Sequence, residues 1–178
     1  MIRVVAIRFA LRLMLLAITL VCAGLAPARA QDTDTRANLR QAWVSLQQET
    51  RQQELSLNLT YLEDRDHLLT AEDARRQLDA GAFQGGQTET LNFGFTQSVY
   101  WFHLRIDNRD AAQDEWVLEF QYPIIDQIDA YYFYMDGRQE HRRAGDSIPF
   151  HERSKANHFT NFELKLAQGQ QVDILLRV

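Results

Sequence analysis

Two runs of strict alternation organise this sequence. In residues 100–106, Tyr100, Phe102, Leu104 and Ile106 fall on one side, and Trp101, His103 and Arg105 on the other. In residues 116–122, Trp116, Leu118, Phe120 and Tyr122 alternate with Val117, Glu119 and Gln121. A two-residue period built from aromatic and aliphatic side chains predicts half-buried β-strands. The two runs are expected to pair with each other. Because aromatic side chains bury large areas, the rest of the domain is expected to pack around them. Leu55, Leu57, Leu59 and Tyr61 alternate with polar residues and predict a further strand over residues 54–63. Residues 128–135, 138–144, 159–166 and 172–178 read as strands as well. Asp136-Gly137, Gly145-Asp146 and Gln168-Gly169-Gln170 supply the turns between them.

Helical spacing is confined to the N-terminal half. Leu39, Trp43 and Leu46 stand at i, i+4 and i+7, which predicts a short amphipathic helix over residues 38–53 with a narrow apolar stripe. Residues 70–80 carry the fuller set of signals. Thr70 is placed to cap, Glu72 and Asp73 stand in the first turn, Ala74 and Leu78 form an apolar face, and Gly81 supplies a left-handed stop. Phe83 then tucks the chain back to the body. Gly85-Gly86 lacks the Lys-Ser or Lys-Thr ending of a phosphate loop and reads as a flexible turn. The pattern predicts a mainly β protein, a sandwich or jelly roll of short strands, with one or two short helices near the N-terminus.

Residues 1–30 change this picture. Arg3, Arg8 and Arg12 precede an uncharged apolar run over residues 13–26, and Ala28-Arg29-Ala30 follows. That is the layout of a secretory signal peptide cleaved before Gln31. The run is too short for a comfortable membrane span, and an uncleaved anchor is the alternative. The only cysteine, Cys22, lies inside it, after Thr19-Leu20-Val21, a poor lipoprotein box. The mature chain is therefore expected to hold together without disulfides, on its core alone. A domain near 150 residues buries ~70% of its unfolded surface, which suffices for one core. The expected organisation is a signal peptide (1–30), an extension carrying the short helix (31–53) and a single β-domain (54–178). Cleavage removes four arginines and no acid, taking the formal charge from −5 to −9. An acidic surface without a basic cluster argues against nucleic acid or anionic membrane as partner. Val178 falls inside a predicted strand, so the chain reads as a piece of a longer protein.

An ordered series of short motifs resembles a known family. YLED (61–64), a helix near Thr70, LNFGF (91–95), VYW (99–101), EWVLEF (115–120), YP and ID (122–126), and GDSIPFHER (145–153) occur in this order. The series is similar to the second type of extracellular domain from bacterial seven-transmembrane receptors with diverse intracellular signalling modules, the DISM receptors. The resemblance covers residues 54–178. It implies a jelly-roll β-sandwich similar to carbohydrate-binding modules, displayed in the periplasm. It also implies a sensing role for sugar-like small molecules, with a membrane region and a cytoplasmic output following in the full receptor. Residues 155–162, KANHFTNF, depart from the family pattern, and the 38–53 helix lies outside it.

Five residues are singled out as ligand contacts. Trp101, His103 and Arg105 share one strand face, where an indole beside a guanidinium and an imidazole suits a sugar platform. The alternative is that this face is a mix of core and solvated rim. Asp126 stands inside the apolar run 124–128 and should have a partner. Arg153 matches the PF-x-x-R element, as either an anion or hydroxyl contact or a loop salt bridge. Asp126, Asp129, Asp136 and Asp146 lack the spacing of a calcium loop. His141, His151 and His158 lack the close pair of a zinc site. No metal or cofactor is expected.

Catalysis has little support: no G-x-S-x-G element is present, and no cysteine remains after cleavage. The function expected is a non-catalytic periplasmic ligand sensor. The alternatives are a protein-docking or homodimerisation module, carried by the helix around Trp43, and a glycosidase-like enzyme using Asp126 with Glu119 or Asp146.

Overall fold

The computed structural model describes residues 2–6, 43–47, 50–85, 93–94, 96–122, 125–148 and 159–178. Two sheets face each other across one apolar core. Among the described residues, the smaller sheet has four strands: β1 (Ile2–Ala6), β3 (Gln52–Glu54), β7 (Glu115–Phe120) and β10 (Thr160–Lys165), in the order β10-β7-β1-β3. The larger has seven. Its main path runs β5 (Gln84–Gly85), β4 (Thr60–Asp64), β6 (Val99–Asn108), β11 (Gln171–Arg177), β8 (Ile128–Tyr134) and β9 (Gln139–Ala144). The short β2 (Val44–Leu46) adds to β6 in parallel, and the other pairings are antiparallel. The chain is thus the mainly β sandwich that the alternation predicts, with one α-helix among the described residues, α1 (Ala71–Asp79).

The alternation in β6 sorts its side chains as a half-buried strand should. Phe102, Leu104 and Ile106 enter the main core with Leu118, Phe120, Tyr132, Ile174 and Leu164. Trp101 points the other way, into a second cluster with Ala74 and Leu175, where α1 lies on the outer face of the large sheet. Trp116, Leu118 and Phe120 of β7 are buried from the opposite side of the sandwich. Contrary to expectation, the two aromatic runs do not pair with each other but face each other from different sheets. Residues 109–114 between them cross from one sheet to the other, and Asn108 fixes the crossing by donating to the carbonyls of Gln113 and Leu166.

The helix follows its sequence signals. Thr70 Oγ1 accepts from Asp73 N and Thr70 N donates to Asp73 Oδ2, closing a capping box. The Thr70 bonds come first among the causes that lower the Asp73 pKa from its ordinary value, and Arg76 adds to them. Gly81 takes φ +74°, the left-handed stop.

Two further expectations are corrected. Residues 54–63 are not one strand: a 3₁₀ turn over Ser56–Asn58 breaks it, burying Leu55 and Leu59 and leaving Leu57 exposed. Burial of both flanking leucines outweighs strict alternation. The helix expected over 38–53 is absent from its described part, where Val44–Leu46 and Gln52–Glu54 are strands. Val44 and Leu46 reach the main core from β2, which a surface helix with a narrow stripe would not achieve. Within the expected signal peptide, Ile2–Ala6 lies between β7 and β3. Ile2 and Val4 alternate into the core, and Arg3 meets Glu119 at 2.6 Å, so this short segment satisfies both faces of a strand. The rest of the expected signal, including Cys22 and the Ala28-Arg29-Ala30 site, lies outside the described residues.

Candidate functional site: an aromatic cleft at one end of the sandwich

The inward face of β6 does not stop at the closed core. From Phe102 it continues to Tyr100, only part-buried, toward the strand's N-terminal end. There the rings form a ladder. Phe93 stacks on Tyr100 with ring centres 4.1 Å apart, Tyr61 meets Phe93 edge-on at 5.0 Å, and Tyr100 lies 6.3 Å from Phe102. The ladder forms one wall of an open cleft of about 450 Å³ between the two sheets. Phe120 and the exposed Tyr122 close it from the β7 side, with Ile125, Asp126 and Gln127 beyond them. Ile2, Leu59 and Val178 add apolar surface, and Ser56, Thr96 and Ser98 add hydroxyls. Large rings with a few convergent polar groups are the usual make-up of a small-molecule site.

Two devices hold the cleft's polar groups in place. Ser98 Oγ donates to Glu63 Oε1 at 2.9 Å, and Tyr100 Oη donates to the same oxygen at 3.4 Å. The Ser98 bond, then that from Arg65, lowers the Glu63 pKa below the ordinary value, so the carboxylate stays charged behind the rings. Burial and then the Glu63 charge raise the Tyr100 pKa, keeping its hydroxyl protonated. On the opposite rim, the segment carrying Asp126 is fastened through its backbone. Asp146 N donates to the Ile125 carbonyl at 2.9 Å, and Ser147 donates to the Asp126 carbonyl from N at 2.9 Å and from Oγ at 2.7 Å. Gly145 makes this approach possible. At φ +130° its backbone lies so close to the Asp126 carbonyl that a Cβ there would collide with it.

The five residues singled out from the sequence do not converge. Asp126 lies at the cleft, exposed rather than enclosed, and among the described residues its carboxylate has no hydrogen-bond or ion-pair partner. Exposure removes the need for the partner that its place in an apolar run suggested. Trp101, His103 and Arg105 lie on the far side of the large sheet. Trp101 is fully buried beneath α1 and offers no ring face to a ligand. His103 is buried with its Nε2 3.0 Å from Asp173 Oδ1, and Phe83 meets its ring edge-on. Arg105 Nε donates to the same oxygen at 2.9 Å, and its guanidinium lies 5.5 Å from the Trp43 ring centre. Arg75 reaches the other oxygen of Asp173 at 3.4 Å. Burial works against the charge of Asp173, but the His103 hydrogen bond and the His103 and Arg105 charges prevail and lower its pKa. His103 and Arg105 are thus tied with Arg75 of α1 into a knot around Asp173, and Trp101 packs beside it against Ala74. Arg153 lies outside the described residues, as do His151 and His158.

No group of His, Cys, Asp or Glu suited to a metal occurs among the described residues. His141 bonds Asp129 at 2.8 Å and stacks on Tyr131. Asp126 is the only carboxylate among the described residues lining the cleft. Glu119, its expected catalytic partner, lies on the opposite face of β7 from Phe120, bound to Arg3. The sequence did not single out Phe93, Tyr100 and Tyr122 for the cleft, nor Asp173 for the knot. The alternation that grouped Tyr100 with Phe102 was the signal available, and only the pairing of the sheets shows that this face opens.

The fold is a two-sheet β-sandwich with a ring-lined cleft at one end. The 7TMR-DISM extracellular 2 family matches residues 56–178, and the chain belongs to it. Domains of this family are extracellular parts of membrane receptors, which places the chain on the periplasmic side of the membrane and links it to a receptor's membrane region. No curated protein matches the chain. No helix among the described residues is long and apolar enough to cross a membrane.

Proposed function

We propose that the chain is the non-catalytic ligand-sensing part of such a receptor and that a small carbohydrate-like molecule occupies the aromatic cleft. The observation that carries this reading is the ladder of Tyr61, Phe93, Tyr100 and Phe102 leading from the closed core to an open mouth. Ring faces stack on the C–H faces of sugars, and Ser98, Thr96 and Gln127 are at hand for hydroxyl groups. Val178 lines the cleft and exchanges two 2.9 Å backbone bonds with Tyr100. A ligand there bears directly on the C-terminal end of β11, the route by which its presence would reach a membrane region. Only a ligand that binds one pose better than another transmits a signal. Calorimetric screening of mono- and disaccharides tests the reading. Binding is expected, with Phe93→Ala weakening it and Trp101→Phe leaving it unchanged. Sugar binding unaffected by Phe93→Ala and Tyr122→Ala would remove the cleft from consideration.

One observation favours docking as a second reading. Processing before Gln31 takes β1 away and leaves one edge of β7 unpaired, and an open strand edge recruits other strands. The mass of the mature protein and the oligomeric state of residues 31–178 test it; an N-terminus that keeps Ile2–Ala6 excludes it.

A further inference from the structure

We infer that the cleft selects ligands bearing an ammonium group over their neutral and anionic analogues. This inference rests on the cleft being the ligand site and adds the charge of its occupant. Among the described lining residues, the aromatic rings of Phe93, Tyr100, Phe102, Phe120 and Tyr122 predominate, and Asp126 is the only charged side chain. No arginine, lysine or histidine is among the described lining residues. The part-exposed rings of Phe93, Tyr100 and Tyr122 present negative faces, which hold an organic cation more strongly than a neutral molecule of the same shape. Asp126 strengthens that preference, because among the described residues its carboxylate has no partner. The other acids nearby are committed. Glu63 is held by Ser98, Tyr100 and Arg65, and Asp129 by His141 and Gln127. The rim is also rigid where it matters, since the Gly145 turn pins the Asp126 backbone. An anionic ligand would meet the Asp126 carboxylate, in a chain whose formal charge is already −5. The chemistry that fits is an amine or quaternary ammonium on a compact polar body, as in an amino sugar.

Matched pairs test this by calorimetry on the full chain at low salt: choline against its uncharged isostere 3,3-dimethylbutan-1-ol, and glucosamine against glucose and glucuronate. The cationic member of each pair is expected to bind about tenfold or more tightly, with an affinity that falls as salt is added. Asp126→Asn keeps the size of an exposed side chain, so folding is preserved, and it should erase most of that advantage. Tyr122→Ala should weaken every ligand. Equal binding of both members of a pair, or Asp126→Asn without effect, overturns the charge preference and leaves the cleft as a ligand site. Binding of none of these probes overturns both.

Discussion

Asp173 shows how one residue can decide what its neighbours are for. It accepts from Arg105 and Arg75 and bonds His103 from a position that is almost fully buried. Removing one partner of a buried charged cluster leaves the others desolvated and unpaired. Asp173→Ala is therefore expected to destabilise the protein by about 3 kcal/mol in chemical unfolding. Because its folded pKa is lowered, Asp173 contributes its stability in full above its unfolded value of about 4. That contribution is lost as the pH falls through the folded value. Urea unfolding followed between pH 6 and pH 2 should show an acid limb that is shallower in Asp173→Asn than in the parent. Trp101 beside it is a core residue, so Trp101→Ala should cost about 3–5 kcal/mol and act on stability rather than on ligand affinity. The sequence showed an indole, an imidazole and a guanidinium on one face. It did not show the carboxylate that occupies them, because Asp173 is brought there by β11 pairing with β6 over a separation of some seventy residues.

At the level of elements, local signals were read correctly where the element stabilises itself. The capping box, the acidic first turn and the glycine stop of α1 are contacts within a few residues, and all are present. Thr70→Ala should lower stability by about 1 kcal/mol, measured by the thermal midpoint or by faster amide exchange in α1. The Gly145 turn has no such local logic. Any side chain there is strained by φ +130° and collides with the Asp126 carbonyl. Gly145→Ala is expected to cost about 1–3 kcal/mol and to loosen the cleft rim, seen as weaker ligand binding than its loss of stability alone explains. The segments around Trp43 and Leu57 depart from their sequence pattern for a related reason. Their apolar spacing suits more than one structure, and burial against β6 and the core chose between them.

For the whole molecule, the arrangement of two sheets places one cleft at the open end and one clamped helix on the outer face. The place of β1 tests that arrangement. Val4 is fully buried and Ile2 nearly so, between β7 and β3. A chain beginning at Gln31 is expected to unfold at lower denaturant than the full chain, and hydrogen exchange should quicken at β7 before it does at β6. Protection at β7 that matches the full chain would show that another segment takes the vacated place.

By itself the sequence determined the β class, most of the strands, the turns, the helix with its caps, and the family. These depend on side-chain period and on contacts a few residues apart, which are written along the chain. Tertiary structure alone decided which face of β6 opens into the cleft, that the two aromatic runs oppose each other instead of pairing, and that Trp101, His103 and Arg105 lie on the other side of the large sheet, against α1 and Asp173. A two-residue period says that a strand has two different faces; what lies against each face depends on partners distant in the chain, and only the packing of the sheets supplies them.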